Sequence, residues 1–306
     1  MQPTAAVAHA SAVLREKCMP WLVRLLAVLT EGEPAEKEEE ENGKHDDDGP
    51  LATAAELLSL LAGRAALDEV DRTWVFDKAG TLVVREMGYG EAGLGFQTWG
   101  SGFVLARLLD SGAVPLPPAN SQILELGSGT GLAGLVCARL IGQSCSHITL
   151  TDFQPAVLTN LLHNTTINHL TPSASVCKLD WTEGILHPPW PASSDSISDS
   201  DNSNVNPTHQ RFHTILASDC AYDTLHAAHL PGIVDAYLAR EPAARAYFVL
   251  PERPRFEAEL EAFLTAMGRD AGIVEVADGC WTMQGDDGCG YHIRCYKRPE
   301  GQTFEV

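Results

Sequence analysis

Basic residues are scarce: 21 lysines and arginines face 41 acids, a formal charge of −20 at neutral pH. No Lys/Arg-rich run exists to collect phosphates, so direct binding to a nucleic-acid backbone is excluded as the main task. Long apolar runs are also missing. The best candidate, residues 21–29, is broken by Arg24 and falls well short of the roughly 20 residues a spanning helix needs, so no membrane partner is expected. Arg15, Lys17 and Arg24 with few acids imitate a mitochondrial presequence, but no clear cleavage site follows, and the cytoplasm is the expected compartment. The eight cysteines have no metal-ligand spacing and mostly sit in apolar stretches, as reduced small hydrophobes do. The histidines are scattered too, and no metal is expected. There is no internal repeat.

What is present is enough apolar residue, 44% of 306, to bury one full α/β core with appendages. Residues 1–94 form an N-terminal accessory region. Periodicity there predicts helices over 11–29 and 51–63, and between them residues 31–50 carry ten acids and two lysines, too polar to order. A β-hairpin is predicted over 73–84, about the turn Asp77-Lys-Ala-Gly80. From 95 to 306 short apolar runs alternate with helical stretches, the signature of βα units. Strands are expected at 121–126, 147–151, 175–179, 212–217, 245–250, 272–276 and 291–297, with helices near 101–110, 131–141, 155–163, 225–239 and 256–267. Residues 188–209, rich in Ser, Asp and Asn, form a polar insertion between strands.

The strand 121–126 runs into Gly127-Ser128-Gly129-Thr-Gly131, a glycine turn opening a helix, where missing β-carbons let a nucleotide-like cofactor approach the backbone. Gly129, Gly131 and Gly134 also fit the dinucleotide spacing, so the loop alone does not separate a nicotinamide oxidoreductase from a methyltransferase. Glu125, two residues before the loop, favours a cationic cofactor over a pyrophosphate, which it would repel. Asp152 ends the next strand where an acid takes ribose hydroxyls, or else opens the helix ahead of Pro155. Asp180 and Trp181 end the third strand, an acid and a flat apolar ring suited to an adenine edge and face.

These segments, with Gln97-Thr-Trp99-Gly-Ser-Gly102 and Ala217-Ser218-Asp219-Cys-Ala-Tyr222, resemble the seven-β-strand methyltransferases, specifically the lysine-methylating branch called methyltransferase family 16. The resemblance spans about residues 95–298, and the Asp-x-x-Tyr element at 219–222 is its most specific part. It implies a Rossmann-like α/β fold of seven strands in the order 3-2-1-4-5-7-6, the last antiparallel. It implies S-adenosylmethionine as cofactor, with contacts from Trp99, Gly127, Ser128, Gly129, Asp152, Trp181 and Ala217 or Ser218. The strand end and the Gly-Asp-Asp-Gly segment at 285–288 look most like the fungal elongation-factor lysine methyltransferases. Asp219 is expected to orient the acceptor amine and Tyr222 to wall its slot. A basic protein substrate is expected, an elongation factor or a ribosome-associated protein, met by a monomer. Histidine, an amino terminus or a small amine would fit the same motifs. In the turn Pro251-Glu252-Arg253-Pro254, which follows the fifth strand, a substrate contact by Arg253 or Glu252 and ordinary turn chemistry explain the residues equally well, and no role is assigned.

Overall fold

A computed structural model describes residues 69–88, 95, 97–142, 144–191, 210–221, 224–253, 257–270 and 272–299. The helices expected at 11–29 and 51–63, the acidic run between them, Tyr222 and most of the 188–209 insertion lie outside the described residues. No described helix is long and apolar enough to cross a membrane.

In chain order the elements are the hairpin β1 (Val70–Phe76) and β2 (Gly80–Glu86), α1 (Gly100–Ser111), β3 (Gln122–Leu126), α2 (Leu132–Ile141), β4 (His147–Asp152), α3 (Pro155–Ile167), β5 (Ala174–Asp180), β6 (Ile185–Pro189) and β7 (Thr214–Ser218). There follow α4 (Thr224–Tyr237), β8 (Arg245–Pro251), α5 (Glu257–Asp270), β9 (Val274–Glu275), β10 (Trp281–Gln284) and β11 (Gly290–Lys297). All but the hairpin strands belong to one sheet of order β10-β11-β8-β7-β3-β4-β5-β6, with β9 also paired to β11. The centre, β8-β7-β3-β4-β5, is parallel. β11 runs antiparallel to β8.

The expected order is therefore present, with two strands more than expected. β6 pairs antiparallel with β5 and extends the edge. Its residues include Pro188 and Pro189, which had been read as the start of the insertion; an edge strand tolerates proline because one of its sides donates no ladder bonds. The strand expected at 272–276 shrinks to two residues, and β10 supplies most of the pairing on that side of β11.

Side chains alternate across the pleat. Ile123, Ile148, Leu150, Leu216, Val249 and Ile293 face α1, α2 and α3, whereas Leu124, Leu126, Ile215, Ala217, Phe248 and Tyr296 face α4 and α5. Both faces are covered, which is why the parallel strands read as unbroken apolar runs.

The hairpin, grouped above with the region before residue 95, is stitched to these helices. The Asp110 carboxylate accepts the amides of Asp77, Lys78 and Ala79 in its turn. Asn160, Asn164 and Asn168, one helical turn apart along α3, meet the edge of β2. The Val83 amide donates to Asn168 and the Arg85 amide to Asn164, and all three side-chain amides donate back to the Val83 and Arg85 carbonyls. Two residues of strand span about 6.6 Å and one helical turn about 5.4 Å, close enough for the two ladders to match.

A second clamp closes the far side. Arg298, with its side chain 2% exposed, ion-pairs with Asp235 and donates to the carbonyls of Asp235 and Leu238 at the end of α4, where Arg211 donates as well. Last-turn carbonyls have no helical partner and carry the negative end of the dipole, so two guanidiniums satisfy both needs. Arg298→Ala is expected to lower the unfolding free energy by about 3 kcal/mol, since buried charge-assisted bonds are lost at once. Urea melts measure it; a loss below about 1 kcal/mol would show that Arg211 caps the helix unaided.

Candidate active site

The site is built on the edge formed by the carboxyl ends of the parallel strands, where open α/β sheets receive their ligands. At the end of β3 the chain turns through Gly127, Gly129 and Gly131, with φ of 63°, 53° and 87°. Glycine adopts such angles at least cost. A β-carbon at Gly131 would also collide with Leu161 on α3, and one at Gly127 would press on the Trp181 ring at 3.2 Å, so that ring lies against the loop. At Gly129 nothing among the described residues lies within 4 Å of an added β-carbon, which leaves open space above the backbone.

The loop is held from three sides. Ser128 exchanges bonds with Thr151 on β4, its amide donating to the Thr151 carbonyl and its hydroxyl accepting from the Thr151 amide. Asn164 donates to the Thr130 carbonyl, so the asparagine that binds the hairpin also binds the loop. The Thr130 and Thr98 hydroxyls lie 2.8 Å apart, and the Thr98 amide donates to Glu86 of β2. Trp99, next in the chain, is the N-cap residue of α1.

Asp152 accepts the Gly129 amide through Oδ2 at 3.1 Å and the Phe153 and Gln154 amides through Oδ1. It locks the loop and shapes the turn into α3, whose N-cap is Gln154 rather than Asp152. Burial raises its pKa while those amides pull it down. Asp180 spends Oδ1 on the amide and hydroxyl of Thr182, shaping the turn that presents Trp181. Glu125 is buried, and its Oε2 has no hydrogen-bond partner among the described residues. Burial pushes its carboxyl up to about 8, against the pull of the Ser128 hydroxyl and the Gly134 amide. An orphaned acid, an open glycine cradle and an indole beside it fit a ligand with a cationic end and a flat base.

β7 lies beside β3, with Ala217 opposite Leu126, so Ser218 and Asp219 emerge next to the loop. Ser218 Oγ faces the first turn of α1 at Gly102. Asp219 is 9% exposed and holds a left-handed φ of 55°, its amide bonded to the Val249 carbonyl. Arg253, just past β8, donates Nη2 to Asp219 Oδ2 at 2.6 Å and lies 5.3 Å over the Trp99 ring. Burial raises the Asp219 pKa, and Arg253 and, more weakly, the nearby Ser101 hydroxyl lower it. The geometry thus brings Trp99, Asp219 and the loop to one edge, and adds Arg253 and Ser101, which the sequence reading left out. An arginine just beyond a strand's carboxyl end was the available signal.

A family model described as lysine methyltransferase matches residues 78–270. The chain belongs to that family. Its chemistry is accordingly S-adenosylmethionine-dependent, and the nicotinamide reading of the glycine spacing falls away. The protein-lysine N-methyltransferase rrg1 of Schizosaccharomyces pombe is 28% identical over 283 residues, covering 90% of this chain and 82% of that protein. The protein-lysine N-methyltransferase EFM2 of Saccharomyces cerevisiae is 27% identical over 242 residues, covering 74% of this chain and 54% of that one, so the chain spans about half of the yeast relative. Among solved structures, the O-methyltransferase from Bacillus cereus in complex with SAH aligns with a TM-score of 0.44 at 12% identity, covering 68% of this chain and 86% of that one.

Proposed function

We propose that this lysine methyltransferase acts on a translation elongation factor, as a cytoplasmic monomer, and that its acceptor amine is oriented by Asp219. The observation carrying the reading is the Asp219 carboxylate, buried on the strand next to the glycine loop and paired with Arg253. The elongation factor rests on the likeness of the 217–222 and 285–288 segments to the fungal enzymes. The chain's charge of −20 also suits a basic partner surface.

Glu125, Gly127, Ser128, Gly129, Gly131, Asp152, Asp180, Trp181, Ala217 and Ser218 hold the cofactor in this reading, with Trp99 at its mouth. S-adenosylmethionine, when bound, supplies an electrophilic methyl on a sulfonium. The residues of the chain do the rest. Free lysine titrates near 10.4, so presenting it neutral at pH 7 costs about 4–5 kcal/mol. Asp219 receives a hydrogen bond from the amine and fixes its direction, while Tyr222 confines it. Alignment of this kind contributes roughly 7–11 kcal/mol to a two-body step, which exceeds the handicap.

The test is transfer of radiolabelled methyl into a fungal lysate, with the labelled residue mapped by mass spectrometry. Label on a lysine of an elongation factor is expected. Label on histidine or an amino terminus would overturn the acceptor, and no protein label despite cofactor binding would point to a small amine.

A further inference from the structure

Arg253 is gripped on two sides, its plane over Trp99 and its edge on Asp219, while its backbone neighbour Glu252 is tied to Gly290 of β11 by a 2.7 Å amide bond. Among the described residues, the other charged groups that face this corner already have partners. Glu252 binds His292 at 3.1 Å from β11. Asp287, in the turn between β10 and β11, accepts the Tyr291 hydroxyl at 2.6 Å. Cys220 beyond β7 and Cys289 before β11 have thiols pushed up by burial, so both stay neutral near pH 7. From α1 only the uncharged Ser101 and Trp99 reach in. Asp219 is thus the acid that Arg253 answers.

The pairing matters for a reaction that needs a neutral amine. A carboxylate alone beside an incoming lysine stabilises the ammonium form and raises its pKa by order one to three units, each a tenfold loss of reactive amine. We propose that Arg253 sets the charge at the acceptor site: by cancelling the Asp219 charge it leaves the amine a hydrogen-bond acceptor without a net negative field. The inference rests on the lysine reading given above. A guanidinium cannot give up its proton near neutrality, so Arg253 is not a base. It is a positioning residue that acts through Asp219 and through its own fixed charge.

The decisive measurement is the pH dependence of kcat, read at saturating acceptor so that it reports the bound amine, from pH 6.5 to 10.5 for wild type, Arg253→Gln and Arg253→Lys. Radiolabelled S-adenosylmethionine is the donor and an elongation-factor fraction of a fungal lysate the acceptor, with S-adenosylhomocysteine binding by calorimetry as a check on the site. Arg253→Gln is expected to move the acidic limb up by about one unit, making transfer roughly tenfold slower at pH 7 and narrowing the gap to about fivefold or less by pH 10.5. Arg253→Lys, which keeps the charge, is expected to restore most of that shift. An equal loss at every pH, a lysine variant as impaired as the glutamine one, or loss of S-adenosylhomocysteine binding in Arg253→Gln would each make the residue structural and overturn the proposal. If wild type labels no lysine, the functional reading fails and this one fails with it; a labelled lysine with an unshifted limb removes the Arg253 inference alone.

Discussion

Asp219→Asn is expected to cut kcat/KM for methyl transfer by at least about a hundredfold: Arg253 takes the one remaining oxygen, an NH2 then faces the acceptor amine, and misplacing a reacting group costs about this much. Affinity for S-adenosylhomocysteine is expected to stay within about threefold of wild type. The asymmetry follows from the contacts. Asp219 binds Arg253 and the Val249 carbonyl, whereas the glycine loop is held by Ser128, Asn164, Asp152 and Thr98. Asparagine is the cleaner substitution because, like aspartate, it tolerates the left-handed φ of 55°, where alanine adds about 1–2 kcal/mol of strain. Arg253 keeps an amide oxygen to donate to but loses the opposite charge in this variant, and its side chain is 30% exposed, so water can serve it. Asp219→Ala, run beside it, separates backbone strain from chemistry. A parallel fall in binding and turnover in both variants would mean that Asp219 shapes the strand end and takes no part with the substrate.

The parts of this fold that could be read in advance are those whose reason is local. β3, β4, β7 and β8 are buried on both faces, so their apolar runs announce themselves, and the glycine turn follows from angles that only glycine takes freely. β6 and β10 escaped because their reason is not local. Each is a short edge strand with half-exposed residues, and pairing with a neighbour already in place orders it. The site divides the same way. Asp152 and Trp181 stand at strand ends within one or two residues of a predicted boundary. Arg253 meets Asp219 across 34 positions of sequence, and between two prolines it reads as an ordinary turn. The asparagine ladder on α3 was hidden for a further reason: in sequence it is a set of polar residues on a helix, and its partner, the edge of β2, lies 75 to 85 residues away. That ladder ties the hairpin to the glycine loop through Asn164.

Glu125 gives the second large effect, a pH dependence of cofactor binding. In the free protein burial holds its carboxyl near 8, so at pH 6 to 7 it is mostly protonated. The ligand's α-amino group is cationic below about 8. A cation brought against the acid favours its ionised form and lowers its pKa, so binding in this range releases a proton. By linkage the affinity then rises with pH, approaching tenfold per unit between about 5.5 and 7.5, and the rise ends near 8, where the free acid is already ionised and the amine begins to lose its charge. Calorimetry with S-adenosylhomocysteine at several pH values, in two buffers of different ionisation heat, reads both the slope and the proton. Glu125→Gln is the control: it should keep the shape of the pocket, bind more weakly at pH 7.5, and lose most of the slope. A flat wild-type profile with no proton released would mean that Glu125 is ionised before the ligand arrives, and the orphaned Oε2 would then need another cation or donor to account for it.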